Sequence, residues 1–388
     1  MYDRGIAPVG RLPVPVISIG NITAGGTGKT PLTIHLARRL LALGLNPLVL
    51  TRGYRSTGSG TRIVSDGRRI LLGPDVAGDE PLMIAASVPG LPVVVDPRRL
   101  RGGWAAIQRF RPDVVFLDDG FQHRRLAREL DIVLLDAVDP FGRYALLPSG
   151  LLREPFSGLA RAHIFIVTRA PSEEPLETLT AVLRRYNARA PILRASHVAD
   201  SLVRVESLRH LVAPGTGPPG EDRQAAVGTT PESSPARGAS PAPRVPSGEP
   251  GLSIGGEATH RIGANLDETA PTIEQLAGVP VFAFCGVGQP EGFRTTLQGT
   301  GARILGFEIF RDHHRYTAAD IESLTAAARR AGAREIVTTE KDAVRIARMP
   351  GASRMLALRI RMEIIGEEVL LDAVRGAVGK AAVGRVTG

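Results

Sequence analysis

The stretch from Val14 to Thr30, VPVISIGNITAGGTGKT, constrains this chain more than any other. An apolar run of β type (Val14, Val16, Ile17, Ile19) ends in Gly20-Asn21. A glycine-rich loop follows, and Lys29-Thr30 opens a helical pattern with Leu32, Leu36, Leu40 and Leu41. Strand, glycine loop and helix in that order are the setting a phosphate-binding loop requires. Glycines let backbone N–H groups turn inward around an anion, and the helix N-terminus adds positive potential. Thr23, Ala24, Gly25, Gly26, Thr27 and Gly28 are therefore expected around nucleotide phosphates. Lys29 would reach the β- and γ-phosphates, and the Thr30 hydroxyl would coordinate magnesium. The usual GxxxxGK[ST] spacing wants glycine at position 23, where this chain has Thr23. Gly25, Gly26 and Gly28 carry the turn instead.

Lysine usage sharpens this reading. Of 48 basic residues only Lys29, Lys341 and Lys380 are lysine, so a chain biased toward arginine keeps a slim, single-point ammonium at the phosphate loop. The formal charge of +9 suits an anionic partner, but arginine-rich composition alone also produces it, so the charge decides little. The single Cys285 excludes an intrachain disulfide framework and a cysteine metal cluster, which fits a reducing compartment. No apolar run approaches the length of a membrane span, and no signal peptide is visible.

Short apolar strands alternate with amphipathic helical segments along the chain. Strands are expected at Asn46–Leu50, Pro92–Val95, Asp113–Leu117, Asp131–Leu135 and His163–Val167, and a hairpin over Thr61–Leu72 around Asp66-Gly67. This pattern means an α/β fold of the P-loop NTPase type, a parallel sheet with helices on both faces. From about Val212 to Gly256 the composition turns to Pro, Gly, Ser, Ala and Thr, which cannot bury a core and reads as a disordered linker or surface insertion. A second α/β unit follows, with strands at Val281–Phe284, Ile304–Phe310, Glu335–Thr338 and Met355–Ile360 and helices at Ala319–Ala331 and Glu367–Val378. The expected division is a kinase-like domain over 1–205, a linker over 206–271 and a smaller α/β domain over 272–388.

Asp118 and Asp119 stand at the C-terminal end of a buried apolar strand, where ligands of open parallel sheets gather and where a phosphate-loop enzyme needs a magnesium carboxylate. Asp79 and Glu80 open a helix, a position acidic residues also take as caps. Gly78 frees the backbone to bring Asp79 toward the loop, where a kinase needs a carboxylate on the attacking hydroxyl. Asp312-His313 after a strand is compatible with a histidine poised by a carboxylate. His123 and His314 show no metal-ligand spacing. Arg52, Arg99 and Arg153 lie at strand or helix ends, where forked guanidinium groups suit phosphate.

With these pieces in place the chain resembles the tetraacyldisaccharide 4′-kinases, the lipid A kinases of Gram-negative bacteria. The resemblance is carried by PVPVISIGNITAGGTGKTP, LTRGYR, AGDEP, LDDGFQHRRLARELDIVLLDA, LLPSGLLREP, FRDHHRY and TTEKDAVRI, in this order along the chain. Thr23 agrees with that family's form of the loop. The resemblance implies ATP- and magnesium-dependent transfer of the γ-phosphoryl group to the 4′-hydroxyl of a tetraacylated glucosamine disaccharide 1-phosphate, in a cleft between two α/β domains. It implies an Asp–His catalytic pair at Asp79 and His313, phosphate and magnesium residues at Lys29, Thr30, Asp118 and Asp119, and cleft positions at Glu80, Arg99, His123, Arg153 and Glu154. It also implies a cytoplasmic monomer, peripheral on the anionic inner face of the inner membrane. Family members usually begin with an amphipathic docking stretch ahead of the PVPV strand, whereas this sequence starts at MYDRG, so weak, salt-sensitive membrane binding is expected. An ATPase switch would share GGTGKT without needing the histidine or the LLREP run. A nucleic-acid partner is not expected, because only 4% of residues are aromatic and no aromatic-studded basic strand is present.

Overall fold

A computed structural model describes residues 8–53, 59–170, 174–209 and 272–386. Tyr54 of the LTRGYR run and residues 210–271 of the expected linker lie outside the described residues. The N-terminal part runs β1 (Val16–Gly20), α1 (Lys29–Ala42), β2 (Pro47–Thr51), β3 (Arg62–Asp66), α2 (Pro74–Ala77), α3 (Asp79–Ser87), β4 (Pro92–Val95) and α4 (Arg99–Phe110). It continues through β5 (Val114–Asp118), β6 (Leu130–Asp136), β7 (Ile164–Thr168), α5 (Glu174–Tyr186), β8 (Ile192–Arg204) and α6 (Val205–Leu208). The C-terminal part adds β9 (Pro280–Cys285), α7 (Pro290–Gln298), β10 (Arg303–Ile309), α8 (Ala318–Ala331), β11 (Glu335–Thr339), α9 (Glu340–Ile346), β12 (Leu356–Ile365) and α10 (Glu367–Val386).

The described strands form one twelve-stranded sheet in the order β10-β9-β11-β12-β8-β7-β6-β1-β5-β2-β4-β3. β8 through β4 are parallel, as the unbroken apolar runs of β1, β5 and β6 require: every residue of these strands is buried, so both faces are covered. The four C-terminal strands are likewise parallel to one another. The two blocks meet at an antiparallel pair in which β12 lies along β8 from Leu356↔Arg204 to Ile365↔Arg194. The described residues on both sides belong to one compact unit. One apolar cluster runs beneath both, from Ile17, Leu32 and Leu36 to Phe284, Val344 and Leu370. On the opposite face β6, β7 and α5 close around Phe121, Phe141 and Phe165, and α4 and α7 cover the sheet farther out on either side.

Three elements depart from their sequence pattern. β8 carries no apolar alternation, since Arg194, Ser196, His197, Asp200 and Ser201 interrupt it, and nothing local announces a strand of 13 residues. β12 continues past Ile360 to Ile365 because β8 gives it a partner that far. The Asp66-Gly67 turn forms, with Arg68 and Arg69 N–H groups donating to Asp66 Oδ1, but its return arm is a single bridge, Ser65↔Ile70. β3 pairs with β4 instead.

β1 lies between β5 and β6, so the crossovers to its two neighbours leave in opposite directions. A crevice opens at the carboxyl ends of the strands at such a point. The glycine loop after β1 and the aspartates after β5 both face it.

Candidate active site

The glycine loop ends in Gly28, which caps α1 with φ 89°. Only glycine holds that conformation without strain, and a Cβ there would meet His197 Nε2 at 3.0 Å. Lys29, the first residue of α1, folds back so that its ammonium donates to the Gly25 carbonyl at 3.3 Å and lies 3.7 Å from Asp119 Oδ1. The loop is also tied from outside. Ala24 N–H donates to the Leu151 carbonyl and Arg153 N–H to the Ile22 carbonyl, each at 2.7 Å. Thr23 bridges Leu152 and is buried, so the threonine that replaces the usual glycine serves as the pairing residue of this loop-to-loop contact.

Asp118 ends β5 beside the start of α1. Its Oδ1 accepts from the Thr33 hydroxyl at 2.8 Å and its Oδ2 from the Thr30 hydroxyl at 3.5 Å. Burial, joined by the Glu80 charge, pushes the Asp118 carboxyl up to about 7. Asp119 follows in the left-handed region (φ 53°), which turns its carboxylate toward Lys29 and Arg153. Arg153 Nη1 donates to both its oxygens, at 2.7 and 2.8 Å. Burial works to raise Asp119, but these two cations outweigh it and hold the carboxyl below its ordinary value. The donors here are all oxygen, one hydroxyl and carboxylates, which suits magnesium. No cluster of three or more metal-ligating side chains exists among the described residues. Magnesium is commonly held by one or two carboxylates plus phosphate oxygens. A cation here would also offset the stacked acidic charge that raises Asp118.

Opposite the loop, His313 reaches in from the C-terminal lobe, and its Nδ1 lies 2.7 Å from Asp79 Oδ2 at the start of α3. The backbone at His313 is left-handed (φ 62°). Arg345 of α9 donates through Nη2 to the same Asp79 oxygen at 2.5 Å and through Nη1 to Asp342 at 3.2 Å. Burial would raise the Asp79 carboxyl, but the bonds from His313 and Arg345 and the Arg345 charge keep it well below the usual carboxylate range. On the far side of the ring, His313 Nε2 faces the Lys341 ammonium at 3.5 Å, and Lys341 donates to Asp312 at 2.9 Å.

Ala24 to Thr30, Glu80, Asp118, Asp119, Arg153 and His313 line one cavity of about 510 Å³, with Lys341 and Asp312 on its C-terminal wall. Arg169, His197, Gln289 and Phe293 also line it. Burial and the Arg169 charge push His197 down to about 4. Asp79 stands behind His313 rather than in the lining. Three expected cleft residues stand outside the lining. Arg99 is 3% exposed, beside the charges of Asp119, Arg52 and Asp118, and burial lowers its guanidinium to about 10. Burial and the surrounding arginines, Arg99 first among them, push His123 down to about 4, so the ring is neutral at physiological pH. Glu154 accepts from Gln122 at 2.8 Å and Arg161 at 2.7 Å, bracing the loop that carries Arg153. Sequence reasoning missed Arg345 as a member of the site, and it assigned no role to Lys341, whose rarity is the same signal that singled out Lys29.

A model of the Tetraacyldisaccharide-1-P 4'-kinase family matches residues 1–227 and 239–378. The chain is 38% identical to the tetraacyldisaccharide 4'-kinase of Anaeromyxobacter sp. (strain Fw109-5) over 387 residues, covering 99% of this chain and 88% of that one. It is also 38% identical to the enzyme of the same name from Syntrophus aciditrophicus, with 96% and 88% covered. Among solved structures, LpxK from Aquifex aeolicus in complex with ATP is similar with a TM-score of 0.65 at 26% identity, over 97% of this chain and 92% of that one.

Proposed function

The chain belongs to the Tetraacyldisaccharide-1-P 4'-kinase family, and from that premise we propose how its cleft transfers a phosphoryl group. It is an ATP-dependent 4'-kinase of lipid A biosynthesis. The acceptor is the 4′-hydroxyl of a tetraacyl glucosamine disaccharide 1-phosphate. Backbone N–H groups of residues 25–30 cradle the nucleotide phosphates, and Lys29 leaves its bond to Gly25 to meet the β- and γ-oxygens. Thr30 and Asp118 are the residues to hold magnesium, with Asp119 beside them in the lining. When bound, that ion neutralises charge on the phosphates of the loose transition state. Arg153 swings between Asp119 and the transferring group, which its fork suits better than a point charge would.

Asp79 takes the hydroxyl proton. Its Oδ2 already accepts from His313 and Arg345, so Oδ1 is the oxygen turned to the acceptor. A carboxylate held below its ordinary value is a weak base, and in a loose transition state its position matters more than its basicity. His313, its Nδ1–H fixed on Asp79, orients the pair. The observation that carries this reading is the 2.7 Å contact between Asp79 and His313, 234 residues apart in sequence, with His313 in the lining of the phosphate-loop cavity and Asp79 directly behind it.

No described helix is long and apolar enough to cross a membrane. With a lipid acceptor, we place the monomeric enzyme peripherally at the inner face of the inner membrane. The test is ADP release with and without a phosphorylated acyl-glucosamine disaccharide, in magnesium and in chelator. Release should require both acceptor and magnesium. Equal release without acceptor would point to a nucleotide-driven switch and sink the kinase mechanism.

A further inference from the structure

The loop between β6 and β7 turns large apolar side chains to solvent on a well-formed backbone. Tyr144 is 65% exposed, Leu147 52%, Leu146 47% and Leu151 41%. Frayed ends expose such residues cheaply, but this segment is pinned. Leu151 N–H donates to the Gly142 carbonyl, Gly150 N–H to Leu146 and Leu147 N–H to Leu152, at 2.9–3.0 Å. Phe141 and Leu152 point inward and are almost fully buried in the cluster under β6 and β7, so the same anchoring that orders the loop holds its neighbours outward. Tyr144 packs against Phe156 with ring centroids 6.2 Å apart, and Phe156 stacks on the partly exposed Tyr186 at 5.6 Å, extending the patch along one face. Tyr144 and its exposed neighbour Arg143 both have left-handed backbones, at φ 58° and 65°, which non-glycine residues adopt only where the surroundings enforce it.

We infer that this patch is the surface by which the enzyme seats on an anionic lipid bilayer; the inference rests on the membrane-peripheral reading given above. Contiguous exposed leucine and tyrosine on a folded loop mark an interaction face, and tyrosine with arginine suits the headgroup boundary. Bilayer rather than a single acyl chain is indicated because the residues stand outward and none of the four lines the cavity. The location is continuous with the chemistry. The Leu151 carbonyl accepts from Ala24 of the phosphate loop, and Arg153, two residues on, reaches Asp119. A lipid acceptor presented from a membrane under this loop therefore meets the cleft from its rim.

The experiment uses the full-length enzyme and sedimentation with vesicles of phosphatidylethanolamine and phosphatidylglycerol, without ATP or acceptor. The variant Tyr144→Ser/Leu146→Ser/Leu147→Ser is expected to bind these vesicles at least tenfold more weakly at an unchanged melting temperature. A control at the remote exposed side chains Leu43, Leu305 and Ile309, each changed to Ser, should bind like wild type. Should the triple variant misfold, Leu147→Trp in a Trp104→Phe background keeps the question open to measurement, with a blue shift of its tryptophan emission expected on vesicles. Wild type that binds no vesicles would refute the membrane reading itself. Wild type that binds while the folded triple variant binds equally well, or an emission from the Leu147→Trp variant that does not move, would refute this patch alone. Loss of a wild-type dimer in the triple variant with vesicle binding intact would make the face a self-interface. A raised KM for acceptor with vesicle binding intact would make it an acyl-chain seat. Either result overturns the proposal.

Discussion

Replacing Arg345 by methionine tests whether the Asp79–His313 pair works because the C-terminal lobe holds it. The guanidinium is only 7% exposed and bridges two carboxylates, Asp79 at 2.5 Å and Asp342 at 3.2 Å. Methionine keeps much of the volume but leaves both acids short of a cation. Breaking such a buried pair costs about 3–5 kcal/mol, a fall of roughly 4–6 °C in Tm for a chain of this size. Asp79 is depressed in the folded state, so its ionised form stabilises the fold above the unfolded carboxylate value near 4 and loses that contribution as pH falls through the folded value. Without Arg345 the burial that raises Asp79 is opposed by His313 alone, so the folded value climbs. Each unit of climb removes about 1.4 kcal/mol of that stabilisation. The acid limb of kcat must then move up in pH, since transfer needs the ionised carboxylate. At neutral pH, with the aspartate free to turn, kcat should fall by about one to two orders of magnitude. Arg345→Lys should recover only part of this, because an ammonium cannot bridge two carboxylates as a fork does. The assay is steady-state kcat against pH, below the melting temperature of each variant. A folded Arg345→Met enzyme with wild-type kcat and an unmoved acid limb would refute the reasoning.

Lys29→Ala should lower kcat/KM by roughly two to three orders of magnitude while Tm moves little, because the ammonium holds only a long bond to Gly25 and a loose contact to Asp119; ADP release read beside thermal melting decides it. Asp79→Ala and His313→Ala should each cost about two to four orders of magnitude in kcat with nucleotide affinity retained. The double variant should be little worse than the worse single one, because the two act as a unit; fully multiplying losses in a double-mutant cycle would show that they do not.

The phosphate loop was legible because its chemistry is local. Strand, glycines, lysine and threonine are consecutive, and burial of β1 and β5 follows from unbroken apolar runs that water cannot reach. β8 was not legible, since its polar residues Arg194, Ser196 and His197 are set by β12 and by the cleft it borders rather than by any pattern of its own. Arg345 was hidden by abundance: 48 basic residues less three lysines leaves 45 arginines, and no local signal separates one from the rest. The two lysines that line the cavity, Lys29 and Lys341, show the converse, that rarity is readable.

The His313-His314 pair marks where local reading ends, because two identical side chains, adjacent in sequence, take opposite parts. His314 stacks on Phe310 with ring centroids 4.6 Å apart and meets the capping aspartate Asp320 at 3.2 Å, so its environment is its own lobe. His313 has the left-handed backbone, at a cost of about 1–3 kcal/mol for a residue with a Cβ, and its ring lies against Asp79 on one side and Lys341 on the other. Within residues 272–386 the turn is held by the His313 N–H bond to the Gly286 carbonyl, and the ring keeps Arg345 at 3.1 Å and Lys341 at 3.5 Å. The ring therefore sits between residues of its own lobe and the carboxylate at the start of α3, which it meets at 2.7 Å. The same lobe supplies Arg345 to that carboxylate from a different element, α9. Two elements converging on one oxygen of Asp79 tie the position of that carboxylate to this lobe. With Asp79 as the proposed base, transfer is expected to depend on how the lobes are seated, which no motif in either half encodes.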